Sequence, residues 1–151
     1  MIKIMEYLFF FTALLLLIGS VSMAIPSKSS REIAKVRMES KLLGCKISSI
    51  LNVKSKFKNK ESLDVSYHIK NKTNLKEGHF IRDKGKLILY SPMKLKYTDK
   101  FNYINSVFQS MSVNLVEVIF NKASVSFLWK ENTGIDELKK ILIDIDKLNN
   151  F

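Results

Sequence analysis

The sequence predicts an α+β chain: an amino-terminal signal or membrane segment, then a two-layer domain of helices packed on an antiparallel sheet, ordered αββ-αββ-α. Three observations predict it. Residues Tyr7 to Ser27 carry no charge. Beyond them the apolar residues recur at three- and four-residue steps in some stretches and at every second residue in others, the periods of helix and strand. Finally, Val113 to Lys130 reads as two strands joined by a tight turn, directly after a helical stripe.

The amino-terminal stretch has the three parts of a secretory signal peptide. Lys3 and the free amine precede the apolar run Tyr7 to Ile18, and the small residues Gly19 to Ala24 place a cleavage site after Ala24. The uncharged run is also about the 20 residues that span a bilayer, so an uncleaved anchor is the competing expectation. Lys28, Arg31, Lys35 and Arg37 follow the run. In an anchor, the positive-inside bias would draw that basic side to the cytoplasm, a conflict that cleavage removes for the mature chain. The expected organisation is a signal peptide or anchor over residues 1–24, a linker over 25–29 and one α+β domain over 30–151. The expected location is exported, periplasmic or secreted, or membrane-anchored through residues 7–25.

Composition narrows the chemistry. At 46% apolar residues the chain can build a core, and its formal net charge of +11 favours anionic partners. Apart from Arg31, Arg37 and Arg82, the basic residues are lysines. Lysine is a hydrated point charge, whereas reading guanine or phosphate in two-point fashion needs the guanidinium fork, so sequence-specific nucleic-acid binding is not expected. Cys45 is the lone cysteine and excludes an intrachain disulfide. Leu42-Leu43-Gly44-Cys45 has lipobox-like spelling but stands far from the apolar run, behind Arg37, Glu39 and Lys41.

In chain order, Ile33, Val36, Leu43, Ile47, Ile50 and Leu51 predict an amphipathic helix from Ser30 to Lys56 with a break at Gly44. Leu63, Val65, Tyr67 and Ile69 alternate with polar residues, as in a strand with one wet face. After a polar loop over Asn71 to Gly78, His79 to Arg82 and Lys86 to Tyr90 read as strands around the turn Asp83-Lys84-Gly85. Pro92 interrupts the ladder, and the alternation of Met93, Leu95 and Tyr97 suggests a bent or edge region. Thr98 or Asp99 can cap a helix whose stripe is Phe101, Ile104, Val107, Phe108 and Met111.

The following hairpin is expected to pair Phe120 with Ala123, Val118 with Val125 and Val116 with Phe127 on a face that also carries Trp129. Its opposite face would pair Ile119 with Ser124, Glu117 with Ser126 and Leu115 with Leu128. The last helix opens on the capping-box spacing Thr133 to Asp136, with Asp136 set to pair with Lys140. Ile135, Leu138, Leu142 and Ile145 form its stripe, and Ile143 points away.

Helix, two strands, helix, two strands, then a closing helix behind an apolar leader resembles the periplasmic domains of bacterial pilus-assembly and type II secretion platform proteins. The resemblance covers Ser30 to Lys130 and is clearest in Asp99 to Lys130 (DKFNYINSVFQSMSVNLVEVIFNKASVSFLWK). It implies a permuted ferredoxin-like fold that dimerises and carries no catalytic site. This chain departs from that pattern in its cleavage site and its extra terminal helix.

Catalytic equipment is sparse. His68 and His79 would bind a metal across strands only if carboxylates joined them. Cys45 with either histidine has no nucleophile signature around it. Asp144 and Asp146 read as a solvated helical face, and no glycine-rich phosphate loop, HExxH or GxSxG occurs. The expected function is therefore that of an exported noncatalytic envelope protein without cofactor or metal. It would bind another protein, or itself, through a helix face or a free sheet edge, as an assembly or accessory factor of a secretion or pilus system. The alternative is a secreted basic module or effector that recognises anionic lipid, wall polymer or a host target.

Overall fold

The structure, a computed structural model, describes residues 2–50, 56–59 and 63–149. The chain divides into two compact units, residues 1–32 and 33–151. In the first, helix α1 (Ile2–Ala24) is apolar all round. Lys3–Ala24 is long and apolar enough to cross a membrane, and none of it is buried within the protein. Its hydroxyls are satisfied inside the helix: Thr12 donates to the carbonyls of Leu8 and Phe9, Ser20 to Leu17 and Ser22 to Ile18. A helix in hydrocarbon needs that arrangement, because no water is there to take the protons.

The second unit is α+β. Helix α2 (Lys28–Leu42) leads into strand β1 (Lys46–Ser49), and β2 (Val65–Lys70), β3 (Gly78–Asp83) and β4 (Lys86–Ser91) follow. Helix α3 (Phe101–Ser110), strands β5 (Leu115–Phe120) and β6 (Ser124–Trp129) and helix α4 (Ile135–Asp146) complete it. The six strands make one antiparallel sheet in the order β1-β2-β6-β5-β3-β4. Helices and strands thus alternate as expected, with four strands rather than two in the first run.

The added strand β1 comes from a stretch expected to be helical. Gly44, at φ +84°, stops α2: its N–H bonds the Lys41 carbonyl and the Cys45 N–H bonds the Ser40 carbonyl, a Schellman ending. Ile47 then pairs with Tyr67 in the sheet. The helical spacing of Ile47 and Ile50 was a coincidence of short apolar runs. Residues 51–55, the expected end of that helix, lie outside the described residues.

One face of the sheet holds the main core. Tyr67, Phe80, Val118, Phe120, Val125, Phe127 and Trp129 meet Val36 of α2, Ile104, Val107 and Phe108 of α3, and Leu138, Ile141 and Ile145 of α4. The Phe80 and Phe108 rings stack at 3.9 Å between centroids, and Phe120 meets the Phe108 ring edge-on at 5.9 Å. Ile135 and Leu142 of α4 pack at the margin while Ile143 points outward, 60% exposed.

The β5–β6 hairpin keeps its expected faces but not its expected register. Phe120 pairs with Val125, Ile119 with Ser126 and Val118 with Phe127, two residues beyond the predicted partners. The turn is centred on Lys122 and Ala123, one residue beyond the predicted Asn121-Lys122: the Asn121 N–H reaches the Ser124 carbonyl, and the Asn71 side chain donates to the Asn121 carbonyl. A slip of two leaves every side chain on its own face, where a slip of one would have inverted them. A bulge between Leu115 and Glu117 does invert one pair. Leu115 stands opposite Trp129 in the main core, and Val116 moves to the other face.

Four local expectations are corrected. Met93–Tyr97 is a 3-10 turn instead of a strand, closed by the Leu95 N–H on the Pro92 carbonyl and the Thr98 N–H on the Leu95 carbonyl. Five alternating residues are too few to distinguish the two. Neither Thr98 nor Asp99 caps α3, whose N-cap is Lys100. Thr133 caps nothing either: its hydroxyl donates to the Lys130 carbonyl, and Gly134, at φ +91°, is the N-cap of α4. Asp136 pairs with Lys139, three residues on, rather than with Lys140 four residues on as predicted, and Lys140 pairs with Glu137 instead.

Polar contacts tie the layers together. Glu131 accepts both arms of the Arg37 guanidinium, at 2.8 and 2.6 Å, and the Tyr67 hydroxyl at 2.7 Å. The carboxylate holds Arg37 more basic than usual, and burial together with Glu131 pushes the Tyr67 hydroxyl well above its ordinary range. Removing Glu131 takes this acceptor from both partners. Glu131→Ala is expected to cost about 2 kcal/mol, the scale of bonds to a charged group. Hydrogen exchange checks it: amides of Val36 to Lys41 should exchange faster, while those of β6 hold. Equal protection in both would mean the pairing is dispensable.

Candidate functional site

The sheet face away from the helices carries the polar chemistry of the domain. Among the described residues it carries a small apolar cluster of Ile50, Phe57, Ile119 and Leu128 with Leu63 and Val116 at its margin. Because side chains alternate along each strand, the polar residues of β2, β3, β5 and β6 line this face. Ser66 and His68 come from β2, His79 from β3, Glu117 from β5 and Ser126 from β6.

Glu117 is its centre. Its side chain is 0% exposed and accepts four contacts: His79 Nε2 donates at 2.5 Å, the Lys58 N–H lies 2.8 and 3.1 Å from its two oxygens, and the Asn59 N–H lies at 2.8 Å. Burial pushes this carboxyl up, but the His79 bond and the two backbone N–H bonds outweigh it and hold Glu117 below its ordinary 4.5. The carboxylate therefore rivets residues 57–59 onto the sheet. Phe57 packs beside it, and the Lys58 ammonium lies 5.4 Å above the Tyr90 ring, which itself meets His79 edge-on at 5.0 Å.

The second histidine is separate. Across the strands the row runs His79, Ile119, Ser126, His68, so three strand steps put the two histidine backbones about 14 Å apart. They form no cross-strand pair. His68 Nε2 lies 2.9 Å from the Ser66 hydroxyl and its Nδ1 2.7 Å from the Ser126 hydroxyl. Burial lowers its pKa from 6.5, so the ring is neutral at pH 7 and one nitrogen donates while the other accepts. A hydrolytic triad needs a carboxylate on one imidazole nitrogen and a hydroxyl on the other; here both partners are hydroxyls.

The remaining sequence candidates disperse. Cys45 is buried in the main core, and burial pushes its thiol up to about 11, which keeps it protonated at neutral pH. Asp144 pairs with Lys147 at 2.6 Å on the surface of α4. Among the described residues no three His, Cys, Asp or Glu side chains gather in metal-binding geometry. The His79–Glu117 pair was the feature that sequence reasoning missed. Its signal was a lone acid inside an apolar strand, Leu-Val-Glu-Val-Ile-Phe, which a buried strand tolerates only with a partner.

One border of this face is open. Strand β4 ends the sheet, and among the described residues it pairs with β3 alone. Leu87 and Leu89 turn into the core, while Ile88 and Tyr90, 48% and 49% exposed, stand on the open face. Lys84 and Gly85, both at positive φ, make the tight turn that opens β4, and Pro92 ends it. Lys84, Lys86, Lys94 and Lys96 surround the strand. At the other border β1 has only four residues. Comparison with protein-family models, with curated proteins and with solved structures returned no match in any of the three.

Proposed function

We propose that this chain is an exported, noncatalytic binding protein that takes an extended, acidic segment of another protein onto the β4 edge, as an assembly or accessory factor of the cell envelope. The observation that carries the reading is the edge itself. Six residues end the sheet with two large apolar side chains half exposed, and among the described residues their backbone pairs with β3 alone. In antiparallel alternation counted from the Asp83–Lys86 pair that closes the turn, Leu87 and Leu89 aim their N–H and C=O groups outward. Strand addition uses those groups for affinity and the flanking side chains for selectivity. The lysines at both ends of β4 favour an acidic strand and disfavour a second copy of a chain with net charge +11.

Two further features support the placement. The apolar helix Lys3–Ala24 fits a leader or an anchor. The succession of helix, strands, helix, hairpin and closing helix is in keeping with assembly subunits of secretion or pilus systems.

A photo-crosslinking amino acid placed at Ile88, compared with one at the more exposed Ile143 on α4, tests the reading in cells. The expected result is a discrete adduct from Ile88 alone, in the membrane or exported fraction, lost when Lys84, Lys86, Lys94 and Lys96 are changed to Glu. Adducts from Ile143 but not Ile88 would overturn the edge as the docking site. An intact Met1 on soluble cytosolic protein would overturn export.

A further inference from the structure

We propose that the open-face side chains of β4 form a selectivity row for the docked strand, which takes a carboxylate beside Lys86, an apolar side chain beside Ile88 and a second carboxylate between Tyr90 and Lys58. This row presupposes the β4 edge as the docking site and specifies which extended segment that edge accepts. Side chains alternate along a strand, so Leu87 and Leu89 turn into the core while Lys86, Ile88 and Tyr90 stand on the opposite side at intervals of about 7 Å. A strand laid against β4 brings every second side chain into that row, each beside one of the three.

The far end of the row is built by a bulge. Phe80 stands opposite Leu89 and His79 opposite Ser91, which leaves Tyr90 as the extra residue on β4. A bulge at a sheet edge re-aims the side chain that it carries. The Tyr90 ring lies edge-on to His79 at 5.0 Å, and the Lys58 ammonium lies 5.4 Å from the ring centre. Lys58 reaches that position from another part of the chain. Its N–H and that of Asn59 bond the buried Glu117 carboxylate, which also accepts from His79. One buried acid thus fixes both the support beneath the ring and the backbone that carries the cation.

The chemistry of the row selects its occupant. An ammonium has three donors and a ring face takes up only one side of it, so Lys58 keeps donors for a carboxylate, and the Tyr90 hydroxyl adds another. At the near end Lys86 stands opposite Asp83, and among the described residues no carboxylate forms an ion pair with Lys58 or Lys86. Ile88 between them is half exposed and offers only apolar area. A matching segment therefore reads acid, any residue, apolar, any residue, acid. That pattern is the same in both directions, so it fits β4 whether the docked strand runs parallel or antiparallel to it.

The test uses the full chain in phosphatidylcholine nanodiscs and two fluorescent peptides of identical composition and charge. In one, Ser-Gly-Glu-Thr-Val-Thr-Glu-Gly-Ser, the acids share a strand face with the valine; in the other, Ser-Gly-Thr-Glu-Val-Glu-Thr-Gly-Ser, they face away from it. Fluorescence anisotropy should show the first peptide binding about fivefold tighter or more, since each matched exposed pair contributes roughly two- to fivefold. Lys58→Glu leaves the backbone bonds to Glu117 in place and should remove that preference. The first peptide with one Glu replaced by Lys should recover tight binding to the variant. Equal affinities for the two peptides, with both captured by a photo-crosslinker at Ile88, would overturn the row and leave the edge as the docking site. A preference untouched by Lys58→Glu would overturn the Tyr90–Lys58 end of it. No saturable binding of either peptide at millimolar concentration would overturn the row and the edge together.

Discussion

Glu117→Ala is expected to lower the stability of the folded domain by about 3–4 kcal/mol, because it leaves several buried donors without an acceptor at about 1–3 kcal/mol each. The loss has three sources. His79 Nε2 and the N–H groups of Lys58 and Asn59 would all face a side chain that accepts nothing, and the rivet holding Phe57 on the sheet would be gone. Glu117→Gln should fare little better, because one of its two former oxygens becomes an NH₂ that meets backbone donors. Urea unfolding in a mild detergent reads the loss directly. Exchange of the Lys58 and Asn59 amides should accelerate before that of β6, and unchanged exchange there would mean the carboxylate does not hold the segment.

The same group sets an acid limit. Its carboxyl titrates lower in the folded chain than in the unfolded one, since the His79 bond and the two N–H bonds outweigh the effect of burial. Its contribution is therefore complete above the unfolded-chain value near 4.5 and drains away as pH falls through the lower folded value. The Glu117→Gln variant should lose this segment of the acid slope. A wild-type and variant that denature in parallel between pH 5 and pH 2 would contradict it.

Phe108→Ala should be the most damaging single core truncation, at about 3–5 kcal/mol. The ring lies 1% exposed in α3, stacked on Phe80 at 3.9 Å and edge-on to Phe120 at 5.9 Å. Its removal leaves a void where α3 meets both β3 and β5, and aromatic pairing is lost with the apolar area. Against a whole-domain stability of roughly 5–15 kcal/mol, that loss should leave a substantial unfolded population. Calorimetry should show a markedly lower Tm, and a shift of only a degree or two would imply that the site collapses around the gap. Phe108→Leu, which keeps much of the volume, is the conservative comparison.

What could be read from the sequence was periodicity; what could not was partnership. The helices α3 and α4 and the strands of both hairpins follow from stripes that repeat over ten or more residues, enough to separate a period of two from one near 3.6. The two-residue error in the β5–β6 register has a different origin. Nothing in Asn121-Lys122-Ala123 announces that Asn71, fifty residues earlier, takes the Asn121 carbonyl as its acceptor. The bulge at Val116 is likewise invisible, because Leu115 and Val116 are equally apolar and either can face the core.

The polar centre was hidden for the same reason. Glu117 and His79 are 38 residues apart, and only the placement of β3 beside β5 joins them. Lys58 and Asn59 contribute backbone rather than side chain, which leaves no mark on residue identity. By contrast, the exposed edge could be foreseen in outline, since Pro92 after β4 argues for a border position in any sheet.

The order of strands within the sheet also governs when the domain can form. Its two middle strands, β5 and β6, are the last to leave the ribosome, and both β2 and β3 depend on them for their inner neighbours. A nascent chain that has not reached Trp129 holds two separate hairpin fragments with no floor to join them, and such isolated pairs are marginal in water. Closure of the sheet is therefore delayed until Trp129 has been made, leaving a long interval in which its earlier strands stand as separate, unjoined pairs.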